Sequence, residues 1–166
     1  ETSDDSLETA VRYAIAGNII DFGASSHVDE SIILNTLEDA INKSFYPSGI
    51  DSFRNAVDKA TDILYLGDNA GEIVFDRLLI EKLPLEKVTF VVRGKPVLND
   101  VTFDDAQFVG ITDLVEVIDN GSDGPGTLLD DCSKEFLARF EQADLIISKG
   151  QGNYESLSEI ERNIIY

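Results

Sequence analysis

The sequence holds no methionine and no tryptophan, and only one cysteine and one histidine in 166 residues. With Cys132 alone, no intrachain disulfide can form, and with His27 alone no Cys/His zinc cluster can be assembled. Any resident metal must be held mainly by oxygen, which favours magnesium, manganese or calcium. Ser-His-Asp or Cys-His chemistry would depend on His27, whose Ser25-Ser26-His27-Val28-Asp29 setting reads as a loop or helix start with an ordinary surface or capping role. Cys132 lies beside Asp130, Asp131 and Ser133, a poor setting for a stabilised thiolate. No window approaches the roughly 20 apolar residues of a membrane span. The first residues lack the basic-then-apolar order of a signal peptide, so a cytoplasmic location is the default expectation. Methionine is missing even at position 1, and residues 163–166 read as an apolar element left incomplete, so a fragment trimmed at both ends is expected.

Basic residues are also scarce: 13 against 32 acidic ones, a formal net charge of -19. Such a surface repels nucleic-acid backbones and anionic membranes, so neither is an expected partner. A small anionic substrate would meet the same repulsion unless a cation sat in its site. The excess otherwise reads as a solvated acidic surface, and oligomeric state is open.

What is present divides near residue 60. Residues 1–60 read as a helical lead-in. Leu7, Ala10, Val11, Ala14 and Ile15 share one face of a helix over 7–20. Asp29 is a candidate cap for a second helix over 31–45, with Ile32, Ile33, Leu34, Leu37 and Ile41 inward. Pro47 and Gly49 break it, and Asp51 opens a short third helix. From residue 61 to 166, short apolar runs alternate with amphipathic stretches. Strands are expected at 63–66, 88–92, 114–118 and 145–147, and helices at 71–83, near 102–108, at 127–140 and from 155 onward. Continuous β-branched runs alternating with helices argue for an α/β core: a mostly parallel, Rossmann-like sheet flanked by helices, forming one unit with the lead-in.

In such a sheet ligands bind beyond the carboxyl ends of the strands. The first strand runs into Gly67-Asp68-Asn69-Ala70-Gly71-Glu72, a tight turn with Asp68 and Asn69 at its tip. The helix that follows offers N–H groups and a positive dipole end beside two oxygen ligands. Glu72 stands one turn on, within reach as a base or a supporting partner. Asp and Asn are also good helix caps, so this turn alone supports either reading. The second strand ends in Arg93-Gly94-Lys95-Pro96, then Val97-Leu98-Asn99-Asp100. Asp100 could share a cation with Asp68 and Asn69, leaving positions for water and substrate oxygen. Arg93 and Lys95 could bind phosphate, although surface pairing is expected of at least one. The loop 119–127 is glycine-rich but lacks a Walker Lys-Ser/Thr ending. The fourth strand leads into Ser148-Lys149-Gly150-Gln151-Gly152-Asn153-Tyr154-Glu155, setting Lys149 over the sheet edge where it could neutralise a phosphoryl group.

Three segments, 67–72, 98–102 and 148–155, resemble in order the signature segments of the DUF89 family of damage-control phosphatases, and Ala16-Gly17-Asn18-Ile19-Ile20-Asp21 is similar to a segment preceding the core there. The pattern is closest to the small, archaeal-type members. The resemblance implies a divalent-metal-dependent phosphatase acting on phosphorylated sugars or damaged metabolites, with further family segments beyond both ends. It places the metal on Asp68, Asn69 and Asp100, and the substrate-contacting loop on Gln151, Gly152, Asn153, Tyr154 and Glu155, with Lys149 just before. Manganese or magnesium is the expected ion, with nickel and cobalt as further candidates, and a small phosphorylated metabolite the expected partner. Catalysis is assigned to Asp68, Asn69, Asp100 and Lys149, and substrate binding also to Glu72 and Arg93. Either Asp68 or a water on the cation would attack phosphorus.

Two other readings compete. Residues 66–71 loosely resemble the cofactor loop of S-adenosylmethionine-dependent methyltransferases, but Arg93 stands where an acid should bind ribose. A non-catalytic, acidic metal-binding module is the other. Dinucleotide binding is disfavoured because no G-x-G-x-x-G is present.

Overall fold

A computed structural model describes residues 6–22, 30–45 and 48–166. His27, Asp29 and Pro47 lie outside the described residues, as do the side chains of Ile32, Ile33 and Ile41. Three helices come first: α1 (Ser6–Phe22), α2 (Glu30–Asn42) and α3 (Gly49–Lys59). The core then runs β1 (Ile63–Leu66), α4 (Ile73–Ile80), β2 (Val88–Val92), α5 (Phe103–Phe108), β3 (Glu116–Asp119), α6 (Lys134–Gln142), β4 (Leu145–Ser148), α7 (Gln151–Leu157) and β5 (Ile164–Ile165).

All four strand pairs are parallel and the spatial order is β3-β2-β1-β4-β5. The chain builds outward from β1 to β3, then crosses back to place β4 on the other side of β1. That reversal leaves a crevice at the carboxyl ends of β1 and β4, where open α/β sheets bind ligands.

The three central strands are buried throughout, which is why they show no alternation in sequence. Alternation survives in the packing. Ile63, Tyr65, Phe90, Val92, Leu145 and Ile147 join one core with Ala10 and Ala14 of α1, Phe53 and Val57 of α3, and Ile73 and Ile80 of α4. Leu64, Leu66, Val91 and Ile146 face the opposite core, built on Phe136 and Phe140 of α6 and Leu157 of α7. Helix α1 lies along α4, and Gly17 permits it: a Cβ there would stand 2.7 Å from the Phe75 ring.

Several element ends differ from the sequence reading. The strand expected at 114–118 begins at Glu116, because Leu114 and Val115 close a 3-10 turn on the Ile111 carbonyl. The helix expected over 127–140 begins only at Lys134, where the Ser133 hydroxyl caps it by accepting from Phe136 N–H at 3.1 Å. The last helix starts at Gln151, directly after Gly150, and not at Glu155. Thr102 and Asp105 form the capping box that opens α5: the Thr102 N–H and hydroxyl both donate to the Asp105 carboxylate. Residues 164–165 pair with β4 as a fifth strand. Ile15 and Leu34 are 45% and 58% exposed, so neither belongs to the buried faces expected for the first two helices. Among the described residues no helix is long and apolar enough to cross a membrane.

Candidate functional site

The register aligns Leu66 of β1 with Val91 of β2 and Ser148 of β4, so three loops leave the sheet at one level. They are stitched together by backbone. Gly67 N–H donates to Val91 O at 3.0 Å, Lys149 N–H to Leu66 O at 3.0 Å, and Val101 N–H to Asp68 O at 2.8 Å. Asn69 and Asp100 form an isolated antiparallel bridge, and Ala70 N–H donates to Asn99 O at 2.8 Å. The two Asp/Asn pairs that are 31 positions apart in sequence are thereby neighbours.

Asp68, Asn69 and Asp100 line a cleft of about 560 Å³ with Leu98, Gly126 and Gln151. A wider concavity of about 740 Å³ opens near the amino ends of β2 and β3. Its basic side chains are already committed, Lys87 to the Ala60 carbonyl and Arg139 to Asp62 and Thr89. Size does not decide here: the smaller cleft is at the switch point and holds Asp68, Asn69 and Asp100.

Within the cleft, Asn69 Nδ2 donates to Asp68 Oδ2 at 2.8 Å, so the acceptor oxygen of its amide is the atom it can offer a cation. Arg93 is buried below, its Nε 2.6 Å from Asp100 Oδ2 and one Nη 3.3 Å from Asn153 Oδ1 and 4.0 Å from Asp68 Oδ1. Its other Nη is buried with no hydrogen-bond partner among the described residues. Asp68 is only 6% exposed. Burial and the neighbouring Asp100 carboxylate push its carboxyl up to about 6, while Arg93, Asn18 and Lys149 pull the other way. Two buried acids facing one arginine leave room for a further positive charge. Gly150 shapes this contact: with φ 82°, it admits the Asp68 carboxylate where any Cβ would stand 1.9 Å from Oδ2.

A second charged cluster lies beneath α1 and α4. Lys149 Nζ reaches Asp76 Oδ1 at 2.8 Å, the Ala14 carbonyl at 3.0 Å and Glu72 Oε1 at 3.4 Å. The Tyr65 hydroxyl donates to Asp76 at 2.8 Å. Burial works against the Lys149 charge, but the Asp76 and Glu72 carboxylates outweigh it and hold its pKa above the ordinary value. Glu72 is the weaker partner, and burial pushes it up to about 7 against the pull of Lys149.

The expected site residues therefore separate. Asp68, Asn69, Asp100, Gln151, Gly152 and Glu155 line the cleft. Lys149 and Glu72 do not: the lysine expected to meet a phosphoryl group is committed to the second cluster, because α1 and α4 bring it two carboxylates that strand and loop order cannot reveal. Arg93 braces Asp100 from below. Asn153 is fully buried and acts as a joint, its Nδ2 donating to the Lys149 and Gly67 carbonyls and its Oδ1 accepting from Thr127 and Arg93. Tyr154 is half-exposed against Tyr166, outside the cleft lining. Lys95 pairs with Asp123 on the surface, the exposed pairing expected of one of the two basic residues after β2. Cys132 is half-buried and its thiol is pushed up to about 11 by burial and by Asp131, far from a thiolate.

Two residues were not singled out by sequence reasoning. Asn18 of α1 donates to Glu72 Oε2 at 2.7 Å and to Asp68 Oδ2 at 3.3 Å, linking the two clusters. It lies in the 16–21 segment already noticed, but nothing local said where that helix would dock. Thr127 reaches Asn153 at 2.7 Å from the glycine-rich loop and carried no signal of its own.

The donor set is chemically suited to a hard divalent cation: oxygen only, partly buried, and open to the cleft for further oxygen ligands. Among the described residues no group of three or more His, Cys, Asp and Glu side chains is gathered as a metal site, so the candidate set is two carboxylates and one amide.

Fold and site together define a doubly wound parallel α/β protein with an acidic cleft at its switch point. The chain belongs to the damage-control phosphatase ARMT1-like domain family, whose sequence model matches residues 1–165. It is 46% identical over 172 residues to the uncharacterized protein MJ0202 of Methanocaldococcus jannaschii, covering 98% of this chain and 55% of that protein. It is 36% identical over 163 residues to a damage-control phosphatase of Archaeoglobus fulgidus, covering 96% of this chain and 56% of that protein. The crystal structure of a DUF89 family protein from Pyrococcus horikoshii superposes with a TM-score of 0.85 at 36% identity, covering 98% of this chain and 58% of that one. The chain thus spans little more than half the length of these relatives.

Proposed function

We propose that this chain supplies the catalytic core of a divalent-metal-dependent phosphatase that hydrolyses small phosphomonoesters, sugar phosphates or damaged phosphorylated metabolites. The observation that carries the reading is the meeting of Asp68, Asn69 and Asp100 in one cleft at the switch point. Membership of a damage-control phosphatase family supports it.

Asp68, Asn69 and Asp100 would hold the cation, manganese or magnesium by the hardness of their oxygens, with nickel and cobalt as further candidates. When bound, the cation would supply positive charge against the phosphoryl oxygens in an otherwise acidic cleft. Arg93 holds the Asp100 carboxylate in place, and Gly150 leaves space for that of Asp68. Gln151 and Gly152, in the first turn of α7, line the cleft beside these residues and would meet the substrate there. Either water adds to phosphorus directly, or the Asp68 carboxylate does so and water then hydrolyses the acyl phosphate; in both the ester P–O bond breaks and the alcohol leaves with a proton. Lys149 and Glu72 support this from behind by fixing α1, α4 and the loop after β4 to one another.

Phosphate release by the intact protein on a panel of sugar phosphates, with and without manganese or magnesium, tests this directly. Release should require metal and fall at least about 10³-fold in Asp68→Ala, equivalent to about 4 kcal/mol of transition-state stabilisation. Normal turnover by that variant, or metal binding with no release from any ester, would overturn the assignment and favour a binding module.

A further inference from the structure

The loop after β2 contains a residue whose conformation and exposure are both unfavourable. Leu98 has φ 47°, the left-handed region that glycine and asparagine occupy readily and leucine does not. Its side chain is 86% exposed, so no packing within the described residues offsets that strain. The conformation is imposed by the frame around it. Asp100 N–H closes the turn on Val97 O at 3.0 Å, Ala70 N–H takes Asn99 O at 2.8 Å, and Val101 N–H takes Asp68 O at 2.8 Å. Arg93 fixes the Asp100 side chain at 2.6 Å. Strained residues held by an over-determined surround concentrate where a ligand is met.

Position supplies the second argument. Leu98 stands on the lining of the cleft two residues before Asp100, and Pro125 is the only other apolar side chain among its described lining residues. Gly126 and Gly152 contribute no side chain to that lining, and Asn69, Asn99, Gln151 and Glu155 contribute polar ones. For a phosphoryl group seated by Asp68, Asn69 and Asp100, Leu98 is then the main apolar surface that the cleft offers the alcohol half.

We infer that Leu98 is the specificity-determining contact of this cleft and selects phosphate esters whose alcohol half presents an apolar face, an aryl ring or the C–H face of a sugar, over small esters without one. This rests on the phosphatase reading and names the substrate class for the same site. Leu98 acts on binding of the alcohol half and takes no part in bond breaking.

The test compares phenyl phosphate with methyl phosphate in the intact protein, for wild type, Leu98→Gly and Leu98→Asn. Both replacements suit the left-handed backbone, so folding should be preserved and the melting temperature held or raised. The ratio of kcat/KM for phenyl over methyl phosphate should fall about tenfold in both variants, mainly through KM. An unchanged ratio would overturn the inference. So would a lower melting temperature in both variants, which would show Leu98 packed against protein in the intact molecule. If wild type hydrolyses neither ester, the phosphatase reading is decided by the sugar-phosphate panel, and the Leu98 contact by calorimetry with phenylphosphonate and methylphosphonate in the presence of manganese. A preference for the phenyl compound that Leu98→Gly loses would support the contact, and no preference in wild type would overturn it.

Discussion

Two charged clusters stand side by side in this molecule, each built from two acids and one base. Asp68 and Asp100 share Arg93; Glu72 and Asp76 share Lys149. The composition is the same and the setting is not. Asp68 and Asp100 reach a cleft, and their base is turned away below them. Glu72 and Asp76 are fully buried, and their lysine also closes on a backbone carbonyl of α1. In the first cluster the unmet negative charge faces an open volume, as cation binding requires; in the second it is enclosed, and burial pushes Glu72 up to about 7. Residue type alone therefore does not distinguish a site from a brace. What distinguishes them is whether the excess negative charge faces an open cleft or is enclosed by packing.

The comparison can be broken most severely at Lys149. Lys149→Met removes the counter-charge from two buried carboxylates and should lower unfolding stability by about 3–5 kcal/mol in urea titrations near neutral pH. A change below about 1 kcal/mol would show that the second cluster is not the brace described. The first cluster responds to pH. Its Asp68 carboxyl titrates near 6 when folded against an ordinary 3.8, so between those values the folded state binds the extra proton. Stability is therefore greatest below that window and declines as pH rises through it. In metal-free buffer wild type should lose roughly 1 kcal/mol relative to Asp68→Asn between pH 5 and pH 7, an allowance made for solvent in the cleft. Saturating manganese should reverse the sign at pH 7. Parallel pH profiles for the two proteins would remove the electrostatic basis for a cation there. Asn18 gives the smallest and most specific effect, since its amide touches both clusters. Asn18→Ala should cost about 1 kcal/mol of stability and about tenfold in kcat. Unchanged kcat would mean that α1 packs on the core without shaping the cleft.

Much of this could be read before any coordinates. Ile63–Leu66, Val88–Val92 and Leu145–Ser148 are recognisable as buried parallel strands because they are short, apolar and followed by helices. The Asp-Asn turn after β1 and the Leu98-Asn99-Asp100 segment after β2 stood out because their polar residues fall where strands end. Element ends were less legible. Ser133 is an effective cap, but Thr127 and Ser133 offer the same local chemistry, and only the burial of Thr127 against Asn153 decides between them. The two-residue β5 is too short to carry a pattern.

The sequence by itself determined the α/β alternation, the oxygen-only chemistry available to a metal, the acidic surface and the polar residues at the strand ends. These depend on composition and short-range periodicity. Only the tertiary structure decided that β4 returns beside β1, that Asp68 and Asp100 face one cleft, and that Lys149 pairs with Asp76. Those outcomes depend on strand order and helix docking. A lysine's partner is set by which carboxylates packing brings within about 4 Å, and no residue near Lys149 in the chain records that α1 and α4 will be the elements that supply them.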